Sequence, residues 1–493
     1  MRFSLRAATA VAMPAGFYVL LLGLAAGILV GEGLLLWNRP LTGLFLAVFA
    51  FSAFFALVGA VITIGRAQRE DPVGVPVTAH DQPRLWDLVN RVAAVVGTRP
   101  PDEVRIVPVV NAAVSEQTRL LGLRVVRRRL YIGAPLLACL TEEQIASILA
   151  HELGHYGNRD TRLAGIVMSG RDAQLRVLKG LKGDNQARAV VAALIAEYTK
   201  LYLKVSSAVC RGQELAADVV SARVAGSVTA ASALRELLVL GAAWDVFVER
   251  HLAVASAAGY LPNGVFDGFA DLLGCDELAD FLEEVRQGSG DREQDPYDSH
   301  PPTSERIAAV EALAAQPVRS WGGGPAAGLL VEPTRVLDAS FASPTPVVRV
   351  DWAELGHLTV RARTAFAADR LLRAASRISG RPATLTAVLD ALDAGRLVDL
   401  APDGLRPGSA SGGPRARREF ARGFVEEDLT GLISLAHVDA GRARWRRDWI
   451  GDVEYVGVPP EHVDAAVADG GSTTALRAAL AAAGIAPDYR PTA

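Results

Sequence analysis

At 493 residues, half of them hydrophobic, the chain has room for about three domain-sized units and ample apolar material for a core. A formal net charge of −3 gives no long-range attraction to nucleic acid, and none is expected as a partner. Three widely spaced cysteines, Cys139, Cys210 and Cys275, form no C-x-x-C pair, which excludes a disulfide framework and a thiolate zinc site and fits a reducing compartment.

Two apolar stretches, 11–37 and 41–64, open the chain, each long enough to cross a bilayer as a helix of about 20 residues. Asn38, Arg39 and Pro40 between them suffice for a tight turn. Glu32 lies near the end of the first stretch, where a carboxylate reaches the interface. A cleaved signal peptide would also begin with Arg2 and Arg6 before an apolar run, but this run is too long and a second follows at once. Arg2, Arg6, Arg66 and Arg69 lie on one side of the hairpin and only Arg39 on the other. The positive-inside rule then places both ends in the cytoplasm, as expected of a plasma-membrane protein with two spans and the lipid bilayer as a partner.

An amphipathic stretch over 85–96 follows, then a strand with an irregular continuation over 104–116 and a second short strand at 130–132. Thr141 and Gln144 form a capping box that opens a helix running to about Gly157, with Ile145, Ile148, Leu149 and Leu153 on its apolar face. Within it stands His151-Glu152-Leu153-Gly154-His155. Positions i and i+4 of a helix stack on one face, so both imidazoles can reach one metal ion. Glu152 is turned about 100° from His151, where a carboxylate can take a proton from an attacking water without itself ligating. No close third histidine follows, so a third ligand is expected to be a carboxylate on another helix. The helical run Arg211–Asp218 offers Glu214 and Asp218, again at i and i+4. One can ligate while the other orients an imidazole through its second ring nitrogen.

The HELGH motif with R-x-x-E-x-x-A-D resembles the membrane-associated zinc peptidases of metallopeptidase family 48, the gluzincin-like group that includes HtpX, the Oma-type proteases and the CAAX prenyl proteases. Val110-Asn111-Ala112-Ala113 resembles that family's element on the substrate-binding edge strand, 133–137 its approach to the zinc helix, and the stretch from His300 to Ile307 its H-P-x-x-x-x-R-I motif. The resemblance covers about 80–315. It implies one zinc per chain held by His151, His155 and Glu214, and Glu152 as general base. Asp218 and Arg306 would support the ligands, and His300 would donate to the developing oxyanion. Asn111 and Ala112 would bind a protein or peptide substrate through backbone hydrogen bonds. By itself, a histidine before two prolines also reads as an ordinary loop residue.

One departure stands out. Family members like HtpX carry further spans between the zinc helix and the third ligand, whereas here Arg171, Arg176, Lys179, Lys182, Asp184, Arg188, Glu197, Lys200 and Lys204 leave no window apolar enough to cross a bilayer. Beyond Trp321 a Gly/Pro-rich run reads as a linker, two helical patches follow, and 408–414 reads as a flexible break. Arg442, Arg444, Arg446 and Arg447 surround Trp445, a pattern open to lipid headgroups but also to an ordinary solvated face. His80, His251, His357, His437 and His462 have no ligand spacing.

The expected fold is mainly α (α+β). It comprises a transmembrane hairpin (1–66), a helical zincin-like peptidase domain with a small sheet (67–318), and a C-terminal α or α/β domain (319–493). The expected function is zinc-dependent peptide hydrolysis, possible roles in protein quality control resting on the resemblance. The alternative is a membrane-anchored zinc-binding sensor or adaptor with little or very narrow proteolytic activity. A structural zinc protein fits poorly, because such sites are closed by four ligands rich in cysteine.

Overall fold

The computed structural model describes residues 5–66, 73–119, 124–157, 167, 170–171, 173–178, 186–287, 300–341, 346–402, 413–451 and 453–491. Arg2, Arg69, the interval residues Lys179, Lys182 and Asp184, and most of the break at 408–414 lie outside these. The chain divides into two compact units, Met1–Trp244 with Asp280–Ala342, and Asp245–Ala279 with Ser343–Ala493.

The first unit begins with the helices α1 (Leu5–Asn38) and α2 (Pro40–Arg66), which hold the two apolar stretches and are long and apolar enough to cross a membrane. The strands β1 (Val75–Val77), β2 (Glu103–Val107), β3 (Ala112–Arg119) and β4 (Arg124–Gly133) form a mixed sheet in the order β1-β2-β4-β3, with β3 at an edge and antiparallel to β4. Helix α3 (Pro83–Val96) starts on a proline, which loses nothing at a position whose N–H has no helical partner, and buries Leu85, Leu88, Val89 and Val92.

A short helix α4 (Ala134–Cys139) leads into α5 (Glu142–Gly157). The capping box forms: the Thr141 N–H donates to Gln144 Oε1 at 3.0 Å, and the Gln144 N–H donates to Thr141 Oγ1 at 3.3 Å. Gln144 Nε2 also donates to Ser232 Oγ, tying the start of α5 to the later helix α7 (Ser227–Phe247). Between them runs α6 (Gln186–Ala225), and α8 (Thr303–Ala312) follows the second unit's first segment.

The Gly/Pro-rich run after Trp321 does not act as a linker. Trp321 is buried and its indole N–H donates to Val224 O, the Glu142 N–H donates to Gly324 O, and the Ala326 N–H donates to Leu140 O. Farther along, Gln82 bonds both backbone groups of Val331. This strap therefore packs against the start of α5. Of its glycines Gly322 is the constrained one, with a φ of 100° and a Cβ that would collide with the Glu142 carboxylate, a demand that composition alone does not distinguish from flexibility.

In the second unit the helices Trp352–Ser379, Leu385–Asp393, Pro414–Asp439 and Thr474–Ala482 enclose a core that includes Leu371, Leu372, Val388, Leu429 and Leu432. The strands Ala443–Arg446 and Glu454–Gly457 form an antiparallel ribbon whose Trp445 is buried in that core. The arginines around it have local partners: Arg444 pairs with Glu354, Arg446 with Glu454, and Arg447 stacks 3.4 Å from the Trp449 ring centre. Two of the four arginines are thus paired with carboxylates of the same unit.

Candidate metal centre

Helices α5 and α6 meet along a small-residue seam. Ser147 and Ser221 hydrogen-bond each other at 2.7 Å, and Ser221 Oγ also donates to Ser147 O. Two turns on, a Cβ added at Gly154 would lie 3.2 Å from Val220 Cβ, tighter than an ordinary contact. Gly154 thus lets the backbones approach at the point where each helix carries its polar residues. Gly154→Ala gains helix propensity of about 1 kcal/mol but overpacks the seam, at a cost of about 1–3 kcal/mol. The expected outcome is a small net loss of stability with weakened metal affinity, read from thermal denaturation and a zinc competition titration.

His151, His155 and Glu214 converge across this seam, with one ligand atom from each lying within 4.8 Å of the others. His151 Nε2 is 3.5 Å from Glu214 Oε2 and His155 Nε2 is 3.6 Å from Glu214 Oε1. The two imidazoles are one helical turn apart, with ring centres at 4.9 Å and planes perpendicular. On its other side His151 Nδ1 is 2.9 Å from Asp218 Oδ1, which leaves Nε2 aimed at the cluster. Arg306 on α8 closes the arrangement. Its Nε and Nη2 donate to the two carboxylate oxygens of Asp218 at 2.8 and 2.7 Å, and its Nη1 is 3.6 Å from Glu214 Oε2. Bidentate pairing of this kind fixes both position and rotation of the carboxylate. His300 Nδ1 lies 3.1 Å from Glu214 Oε2 while most of its ring is exposed.

The electrostatics suit a cation. Burial by itself would raise the Glu214 carboxyl, but hydrogen bonds from His151 and His300 hold it far below the usual carboxylate range. Burial would lower His151, yet its bonds to Asp218 and Glu214 push it up to about 9. Burial and the neighbouring His151 charge push His155 down to about 4, leaving a neutral imidazole able to ligate. Burial raises Glu152 to about 7, against the attraction of His151. Two imidazole nitrogens and a carboxylate oxygen, with no thiolate, are the donor set of a catalytic rather than a structural zinc site, and they fit that ion.

Asn111 and Ala112 stand at the start of the edge strand, and they differ. Both backbone groups of Asn111 are engaged within the chain, its N–H with Val109 O at 2.9 Å and its carbonyl with the Gly133 N–H at 2.8 Å. Gly133 permits this, since a Cβ there would collide with Val109 O. Because facing directions alternate along an antiparallel pair, this bond turns the groups of Asn111 and Ala113 toward β4 and those of Ala112 and Val114 toward the outer edge. Sequence reasoning did not single out Val114, Gly154, Ser147 or Ser221. Two small residues seven apart on one face of α5 were the available signal for Ser147 and Gly154; none pointed to Ser221.

Residues 79–314 match the model of peptidase family M48. A protease HtpX homolog of Gemmatimonas aurantiaca is 26% identical over 257 residues, covering 48% of this chain and 78% of that protein. One from Listeria monocytogenes serotype 4b is 30% identical over 161 residues, 31% of this chain. The chain spans only about half of that relative's length, 47%. One from Pelotomaculum thermopropionicum is 26% identical over 254 residues, covering 48% and 79%. No solved structure matches the chain.

Proposed function

We propose, from the match of residues 79–314 to peptidase family M48, that this protein is a membrane-anchored zinc endopeptidase whose metal is held by His151, His155 and Glu214. The observation that carries the reading is the convergence of these three ligand atoms across the α5–α6 seam, with Asp218 and Arg306 locked behind them. Bound zinc supplies Lewis-acid polarisation of the scissile carbonyl and makes water a nucleophile at neutral pH.

The chain's own residues do the rest. Glu152 takes the proton of the attacking water and passes it to the leaving amine, a task for which a carboxyl near pH 7 is well matched. Asp218 holds His151 in the tautomer that presents Nε2. His300, exposed beside Glu214, donates to the oxygen that gains charge as the carbonyl is attacked. An extended substrate adds to β3, where Ala112 and Val114 offer the outward backbone groups, with Asn111 shaping the turn that precedes them. Both termini lie in the cytoplasm of a plasma-membrane protein, and the substrates are membrane-bound or misfolded proteins.

Elemental analysis of the wild type beside His151→Ala and Glu214→Ala tests the metal assignment. About one zinc per chain is expected in the wild type and near none in either variant, since three protein ligands are the minimum for such a site. Full zinc in Glu214→Ala would place the third ligand elsewhere and overturn the reading.

A further inference from the structure

The helix that carries Glu214 and Asp218 begins far from them, against the apolar hairpin. Tyr198 donates its hydroxyl to Met13 O at 2.7 Å and its ring lies 5.6 Å from that of Phe17. Val191 and Ile195 are buried with Phe17, Leu21 and Leu57. Val190 and Leu194 line an apolar groove of about 450 Å³ together with Leu24, Ile28, Phe49 and Ala53. Passing from 198 back to 190 on α6 thus means passing from 13 to 28 on α1. The two helices run antiparallel, side by side, over the first half of the first candidate span, Ala12–Asn38.

On the outward face of this part of α6 Val190, Leu194 and Leu201 are each at least half exposed, and the exposed ion pair Glu197–Lys200 is set between the last two. Its polar side chains between positions 189 and 203 are satisfied within the chain. Glu197 pairs with Lys200 at 2.7 Å, Tyr198 bonds Met13 O, Thr199 donates to Ile195 O, and Tyr202 donates to Val167 O. Internal satisfaction of this kind is what a hydrocarbon solvent demands and water does not. Among the described residues of this interval no helix is long and apolar enough to cross a bilayer, but a helix need not cross a bilayer to lie in it.

We propose that the first half of α6 is a lipid-contacting surface, and that the groove between α1, α2 and α6 is filled by an acyl chain of the surrounding bilayer. The occupant follows from continuity: the groove is bounded by the hairpin's own span residues, whose exposed apolar side chains Val19, Leu29, Phe45 and Val48 face the same medium. The site's height follows as well. Tyr198 meets the chain at Met13, where the span begins, and Glu214 lies sixteen residues further along one continuous helix, about 24 Å at 1.5 Å per residue. The metal-site helix is in this way rooted in the membrane and holds the chemistry clear of it.

The inference rests on α1 and α2 being membrane spans and not on the metal. It is tested by placing a fluorescent amino acid in turn at Phe45, Leu194 and Lys204 of the full chain, reconstituted in phosphatidylcholine vesicles with and without brominated acyl chains. Quenching at 194 is expected to match that at 45 to within about a factor of two, with little at 204, which lies about 15 Å further along α6. Strong quenching at 45 with none at 194 overturns the proposal, whether the groove is then covered by a second copy or left to water. No quenching at 45 overturns the span assignment and the proposal with it, while leaving the zinc analysis untouched. A reporter at Val190, which lines the same groove, serves if position 194 does not tolerate the probe.

Discussion

Glu152→Gln is expected to lower peptide hydrolysis by about 10²–10⁴-fold while zinc content stays at the wild-type level. The substitution changes little in volume and leaves the positions of His151 and His155 on α5 alone, so the ligand set survives. In the proposed mechanism it removes the one step assigned to this side chain, acceptance of the water's proton and its delivery to the leaving amine. An amide cannot accept that proton, and no other carboxylate in the cluster is free to. Glu214 is held far below the usual carboxylate range by His151 and His300, and Asp218 is kept ionised by Arg306 and His151, so both are poor proton carriers. Glu152 alone is pushed up, to about 7, by its burial. The check is hydrolysis rate and zinc stoichiometry on one preparation of each protein. Near-normal turnover would remove Glu152 from its assigned role. Loss of zinc would mean that the carboxylate holds the metal or the fold around it.

The parts of this site that could be read in the sequence are those set by a single helix. The i, i+4 spacing of His151 and His155 and of Glu214 and Asp218 is a local property, and a helix converts it into geometry without help from the rest of the chain. The capping box at Thr141 is equally local and forms with both of its bonds. What could not be read depends on contacts between distant segments. The seam at Gly154 and Val220, the strap from Trp321 to Val331, and the engagement of Asn111 by Val109 and Gly133 each join backbones that no periodicity connects. The segment Asp245–Ala279 packs with the C-terminal residues, although it stands inside the matched family region. The first half of α6 shows the same limit from the other side. Its charges forbid a span, yet only the structure shows that Glu197 and Lys200 neutralise one another and that the flanking apolar face lies along the hairpin.

Arg306→Ala should be the most destabilising single change in the cluster, by about 3–5 kcal/mol, because it leaves the buried Asp218 carboxylate without its strongest partner. Asp218 is 3% exposed, so water cannot take over the lost bonds. Arg306→Lys recovers part of the loss only, since an ammonium cannot bridge both oxygens as the guanidinium does. Asp218→Asn separates stability from positioning. It removes the charge that Arg306 must balance and weakens the hold on His151 Nδ1, so zinc affinity is expected to fall about 10–100-fold, the usual cost of losing such a partner. Denaturation midpoints and zinc competition titrations on the two single variants and the double variant Arg306→Ala/Asp218→Asn give the coupling between them. If the pair acts as one unit, the double variant is scarcely less stable than Arg306→Ala alone. Independent, additive losses would mean that Arg306 serves Glu214, 3.6 Å from its Nη1, rather than Asp218, and that His151 takes its orientation from the helix seam instead.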